Sequence, residues 1–105
     1  MNLFDLTEKV AIVTGSTKGI GRAIAEEMSA HGAKVVITSR KPDACDEVAG
    51  RICSRGGDAI GIPCNVSYKD QLEILVAETH KAYGQIDILV CNAAVNPHFG
   101  AALDI

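Results

Sequence analysis

Hydrophobic and polar positions along this chain switch between two rhythms. Residues 9–14 (KVAIVT) form a short, β-branched apolar run that stops at Gly15. Runs of this kind stay continuous, without polar alternation, when both faces of a sheet are covered. Over residues 20–31 the rhythm becomes helical, with Ile20, Ala23, Ile24 and Met28 on one stripe and Gly32 following as a stop. Residues 34–38 (KVVIT) read as a second strand. Pro42 suits the first turn of a second helix, whose stripe of Cys45, Val48, Ala49 and Ile52 ends at Gly56-Gly57. Residues 59–63 read as a third strand. Ser67 with Asp70 resembles a capping box in which Asp stands for the usual Glu or Gln. Leu72, Leu75, Val76 and Thr79 mark a third helix closed by Gly84, and residues 86–90 (IDILV) a fourth strand. After Asn92 the pattern loosens.

The order is βαβαβαβ. Strands joined by helical crossovers run parallel, and the crossovers are right-handed in nearly all cases. The pattern therefore predicts an α/β fold, an open parallel sheet with helices on both faces. Pattern alone leaves other three-layer α/β folds open. At 105 residues the chain is one domain at most, residues 1–105 forming a single unit without linker or repeat.

Composition narrows the partners. The net charge is −3, and Lys and Arg are scattered, so no nucleic-acid patch is expected. The start, MNLFDLTEKV, lacks the basic and apolar regions of a secretory signal. No apolar run approaches the ~20 residues needed to cross a bilayer, so no membrane partner and a cytoplasmic location are expected. Cys45, Cys53, Cys64 and Cys91 form no CxxC and have no His at metal-ligand spacing. They read as small buried hydrophobes in a reducing compartment, with no metal site. His31 and His80 read as solvated helix-end residues.

The segment Thr14-Gly15-Ser16-Thr17-Lys18-Gly19-Ile20-Gly21 sits between the first strand and the first helix. Gly15 lets the chain turn off the strand, Gly19 removes a side chain where backbone must approach a pyrophosphate, and Gly21 permits close helix packing. The N–H groups and positive dipole end of the following helix point at such phosphates. The Lys-Ser/Thr ending of a P-loop is absent.

The TGxxxGxG spacing resembles the short-chain dehydrogenase/reductase superfamily, and the resemblance covers the whole chain. Asp87-Ile88-Leu89-Val90-Cys91-Asn92-Ala93-Ala94 is similar to that family's DxLVNNAG signature, with Cys91 for the first Asn and Ala94 for the Gly. Both replacements are small, and the Ala94 methyl lies where it would shift a cofactor slightly. The continuation NAAVNPHFG is similar to a branch of carbonyl reductases and NADP-dependent retinol dehydrogenases. The resemblance implies a Rossmann-type doubly wound sheet, here its N-terminal portion in the order 3-2-1-4, with the fourth strand left at an edge.

It also implies hydride transfer between NADP(H) and a small carbonyl or secondary alcohol. The end of the second strand decides the cofactor. An NAD site places an acid there to bond the ribose hydroxyls, whereas this chain has Thr38-Ser39-Arg40-Lys41. Arg40 offers a planar fork matched to phosphate oxygens, Lys18 points the same way, and both imply NADP(H). The alternative is a solvated basic loop. Asn65-Val66 stand where the family has Asp and an apolar residue at the adenine edge; Asn can donate and accept, so the contact would be kept. Asn65 also reads as a turn residue. Cofactor-binding expectations thus fall on Gly15, Ser16, Thr17, Lys18, Gly19, Ile20, Gly21, Ser39, Arg40, Asn65, Val66, Asn92, Ala93 and Ala94. Residues 95–99, with His98, would lie near the substrate mouth; His98 also reads as a solvated loop residue.

No catalytic residue is expected in the chain itself. In the family a YxxxK Tyr and Lys, a Ser and a further Asn do the chemistry, and all would lie beyond residue 105. Neither Tyr68 nor Tyr83 has a Lys four positions on. The chain thus reads as the truncated cofactor-binding part of an oxidoreductase, inactive alone, whose full-length relatives are homo-oligomers. The rival reading is a catalytically dead dinucleotide-binding module. A methyltransferase would want an acid at the end of the second strand, where none stands.

Overall fold

In a computed structural model the described residues are 5–92. Four parallel strands, β1 (Val10–Thr14), β2 (Lys34–Thr38), β3 (Asp58–Gly61) and β4 (Ile88–Val90), form one sheet in the order β3-β2-β1-β4. Three helices alternate with them: α1 (Gly19–Ala30), α2 (Pro42–Ser54) and α3 (Lys69–Tyr83). The expected order of elements and of strands is found.

The central strands explain their own continuity of apolar residues. Val10–Thr14 are buried throughout, as are Val35–Thr38, because helices cover both faces. On one face Ala11, Val13, Val35 and Ile37 pack against Ala25 of α1 and the α2 stripe Cys45, Val48, Ala49 and Ile52. On the other Ile12 and Val36 meet Cys64 and Leu75 of α3. Each Val or Ile so buried contributes about 1.5–3 kcal/mol.

The helix ends follow from local chemistry. Gly32 has φ +102° just after the α1 C-cap His31, and Gly84 caps α3 at φ +78°, both in the left-handed region that glycine enters without penalty. Among the described residues no helix is long and apolar enough to cross a membrane.

Several expected boundaries and faces change. In α1, Ile20 is 72 % exposed and Ala23 is exposed; the inward stripe is Gly21, Ile24, Ala25 and Met28, one position round from the expected one. Val76 is exposed, leaving Leu72, Leu75 and Thr79 as the α3 stripe. The Ser67 box does not form: Tyr68 is the N-cap of α3, without a side-chain cap, and the Ser67 N–H donates to Asn65 Oδ1 at 3.0 Å. β3 runs over Asp58–Gly61 where residues 59–63 were expected, although the Ile62 N–H still donates to Ile37 O at 2.9 Å beyond its end. Cys45 and Cys64 are buried as expected, but Cys53 and Cys91 are exposed; all are free thiols. His80 is exposed in the last turn of α3, and His31 faces Glu27 at 3.2 Å.

β4 begins at Ile88, not Ile86, and the reason is Asp87. Its N–H donates to Val10 O at 2.9 Å, while its carboxylate accepts from Val10 N at 2.8 Å and from Gln85 Nε2 at 2.6 Å. The carboxylate thus does the work of a ladder partner at the start of β1. β4 is an edge among the described strands, and Leu89 is 41 % exposed. Tyr83 closes the same end of the sheet further along, donating to Asp58 Oδ1 at 2.8 Å with Lys34 Nζ 5.6 Å from its ring.

The Val10 N–H bond, then that from Gln85, and the Lys9 charge hold the Asp87 carboxyl below the usual carboxylate range. A depressed pKa contributes stability that is present above the unfolded-state value of about 3.9 and lost as pH falls through the lower folded value. Acid titrations followed by circular dichroism should show wild type losing stability below about pH 4. Asp87→Asn, which cannot titrate, should show a shallower acid limb; identical limbs would remove Asp87 from this role.

Candidate functional site

The C-terminal ends of β1, β2, β3 and β4 carry the residues singled out from the sequence. The turn after β1 is tied to both neighbouring strands by hydroxyl groups. On one side Thr14 Oγ1 donates to Val90 O at 3.3 Å and accepts from the Asn92 N–H at 2.9 Å. On the other, Ser16 Oγ accepts from the Thr38 N–H at 2.9 Å, and the Ser16 N–H donates to Thr38 O at 3.2 Å. Ser16 is fully buried, so its side chain is part of the frame. Thr38 Oγ1 is buried without a hydrogen-bond partner among the described residues.

Within this frame the glycines differ in what constrains them. Gly15 turns the chain at φ +62°, and a Cβ there would sit 2.9 Å from Asn92 O. A Cβ on Gly21 would sit 2.2 Å from Gly15 O and 2.4 Å from Asn92 Nδ2. The close approach at Gly21 is therefore to the turn and to Asn92 more than to the sheet surface. Asn92 Nδ2 itself lies 3.5 Å from Gly15 O. Gly19, also at φ +62°, has nothing within 4 Å of where a Cβ would be. It opens α1, whose N-cap Lys18 makes no side-chain cap and whose first turn holds no acid. Lys18, Gly19 and Ile20 are exposed, and Thr17 is half-buried.

A second part of the site lies beyond β2. Arg40, Pro63, Cys64, Asn65 and Gln71 line an open groove of about 250 Å³. Ser39 O accepts from the Cys64 N–H at 2.8 Å, which joins the ends of β2 and β3, and Ser39 Oγ accepts from the Lys41 N–H at 3.1 Å. Asn65 forms the turn anticipated as its other reading, its Oδ1 accepting from Ser67, while its N–H donates to Gln71 Oε1 at 2.7 Å. Gln71 O in turn accepts from Cys64 Sγ at 3.4 Å. Burial pushes the Cys64 thiol up, and the nearby Cys45 adds to it.

The structure thus brings Gly15, Ser16, Gly19, Gly21 and Asn92 into one cluster and Arg40 and Asn65 into one groove, with Ser39 behind it. Val66 packs half-buried against the α3-side core. Ala93, Ala94 and residues 95–99 lie outside the described residues. Two residues were missed. Thr14 read as the last residue of the first strand and the first of the glycine motif, with no role assigned to it, and its hydroxyl at a strand end was the available signal. Gln71 carried none, since a polar residue in a first helical turn is ordinary.

An open parallel sheet, a glycine-rich first strand-to-helix turn and a groove at the carboxyl ends of the strands define a Rossmann-type α/β protein. The chain belongs to the short-chain dehydrogenase family, whose model matches residues 9–104. It is 51 % identical over 92 residues to short-chain dehydrogenase/reductase SDRA of Arabidopsis thaliana, covering 88 % of this chain and 36 % of that protein. It is 46 % identical over 100 residues to human dehydrogenase/reductase SDR family member 4, covering 95 % of this chain and 36 % of the relative. Among solved structures, a short-chain type dehydrogenase/reductase from Mycobacterium marinum matches with TM-score 0.84 and 40 % identity, over 89 % of this chain and 38 % of that one. A metagenomic short-chain oxidoreductase in complex with NADP matches with TM-score 0.79 and 37 % identity, over 85 % and 40 %. The chain spans little more than a third of the length of these curated relatives.

The frame predicts two losses of stability. Gly21→Ala should cost about 1–3 kcal/mol by overpacking against backbone that cannot yield. Ser16→Ala should cost about 1–3 kcal/mol by orphaning the buried Thr38 N–H. Urea unfolding of both variants measures this, and a midpoint equal to wild type for either would contradict the frame.

Proposed function

We propose that this chain is the NADP(H)-holding part of an oxidoreductase acting on a small carbonyl or secondary alcohol. The observation that carries it is the open approach at Gly19. At the start of α1, where N–H groups and dipole favour an anion, the backbone has no side chain and space for none is taken by a neighbour. A pyrophosphate would be held there by the turn from Gly15 to Gly21, with Thr17 and Ile20 flanking it. Arg40, Lys18 and Ser39 would hold a ribose 2′-phosphate, Arg40 being a charged donor in the groove with no acid among its lining residues. Asn65 and Val66 would border the base, and Asn92, Ala93 and Ala94 the nicotinamide-side ribose.

When bound, the dinucleotide supplies the hydride that reduces a carbonyl. The residues that would move the proton, a Tyr beside a Lys, are not found as YxxxK in these 105 residues. Cofactor binding, and no proton-transfer step, is therefore what these residues are proposed to supply. The NADP-bound structural neighbour supports the choice of cofactor.

Two titrations test the proposal. A charge-assisted hydrogen bond is worth roughly 1.5–3 kcal/mol, so Arg40→Ala should weaken NADPH about 10- to 100-fold and leave NADH nearly unchanged. Equal losses for both would refute the 2′-phosphate assignment. Gly19→Val should abolish binding of both dinucleotides while the circular dichroism spectrum stays that of wild type. Retained affinity in that variant would place the phosphates elsewhere.

A further inference from the structure

α3 differs from the other two helices in what it turns outward. The ion pairs among the described residues lie on α1, α2 and their C-caps: Glu26 with Arg22 and Arg55, Glu27 with His31, and Glu47 with Arg51. None involves α3. At 3.6 residues per turn, Asp70, Ile74, Ala77 and Lys81 follow one another along the side of α3 opposite its inward stripe of Leu72, Leu75 and Thr79. All four are exposed, Ile74 at 57 %. Asp70 lies in the first turn and Lys81 in the last, so an acid and a base stand at opposite ends of an apolar centre. Among the described residues α2 exposes no large apolar side chain, and the one that α1 exposes, Ile20, belongs to the glycine turn.

We propose that this outward stripe is the surface by which two copies of the chain pair, α3 against α3 and antiparallel. Its spacing of four, three and four residues is that of the seam between two packed helices. Reversing the second copy places Asp70 against the partner's Lys81, Ile74 against the partner's Ala77, and the same two contacts again with the roles exchanged. The charges select this arrangement. A parallel pair would set Asp70 against Asp70 and Lys81 against Lys81. An antiparallel pair shifted until Ile74 met Ile74 would set Asp70 against Glu78. Like charges so placed destabilise by about as much as opposite ones stabilise. The contact is small. With 15 residues α3 is about 22 Å long, and one such helix pair buries less than the roughly 1,200 Å² of a stable complex. The dimer is therefore weak and forms at high concentration. It stands apart from the dinucleotide reading, since no residue of the stripe lines the groove or belongs to the glycine turn.

Sedimentation equilibrium of the chain tests this. Between about 10 µM and 1 mM wild type should pass reversibly from monomer toward dimer, with a Kd of about 100 µM. Ile74→Lys changes an exposed position, so the circular dichroism spectrum should stay that of wild type while the chain remains monomeric through that range. Asp70→Lys sets like charges opposite each other at both ends of the pair and should weaken it about tenfold. Adding Lys81→Asp to that variant reverses both charges, restores the opposite pairs and should return the Kd to its wild-type value. A merely structural effect of either charge on α3 would give no such rescue. If the charge variants fail to fold, Ile74→Lys decides alone. A wild-type chain that stays monomeric through the range overturns the proposal. So does a Kd that Ile74→Lys leaves unmoved, because association would then run through another surface such as the β4 edge. A folded double variant that pairs no better than Asp70→Lys overturns it as well.

Discussion

Everything at the candidate site depends on how the chain leaves β1. This strand lies between β2 and β4, so the turn after it must pass between two other strand ends. Thr14 and Ser16 hold it there, one hydroxyl bonded toward β4 and the other toward β2. Both are buried, so each bond forms away from competing water, and each lost partner would leave a backbone group unsatisfied. The bonds fix Asn92 on one side of the turn and the Ser39–Arg40 segment on the other. A loop of glycines would otherwise be the most freely moving part of the chain.

That frame explains why glycine is required for different reasons at neighbouring positions. At Gly21 the reason is space, since Gly15 O and Asn92 Nδ2 occupy the place of a side chain. At Gly19 the space is open and the reason lies in the backbone angle. The distinction separates positions packed within the frame from one that lies open at its surface. The two faces of the sheet are also unequal. α1 and α2 bury a large cluster on one, while α3 covers the other with few buried residues and leaves Leu89 of β4 partly open.

Element order, parallel pairing and the α2 stripe were legible because burial on both faces leaves a strong apolar signature. The errors fell where side chains override that signature. Ile20 read as core because it is large and apolar at a helix start, but the first turn of α1 points it to solvent and puts Gly21 inward. Ser67 had the composition of a cap, yet Asn65 two residues earlier captured its N–H and the helix started one turn-position later. Asp87 looked like the interior of a strand and proved to be the group that starts one. Such outcomes are set by competition between nearby polar groups, which periodicity does not record. The strand order came from the family resemblance, since crossover rules fix handedness but not which neighbour a strand takes.

The polar residues of the site share a further property. Ser16 spends its hydroxyl on Thr38, Ser39 accepts from Lys41, Asn65 accepts from Ser67, and Gln71 accepts from Asn65. Each bond satisfies a backbone N–H in a turn or at a strand end, where no ladder partner is available. Their common effect is to hold the loops at the strand ends by bonds made within a loop or to the loop beside it. Loop shape is thereby set by these side chains themselves, so a substitution at Ser16, Ser39, Asn65 or Gln71 would disturb backbone as well as surface.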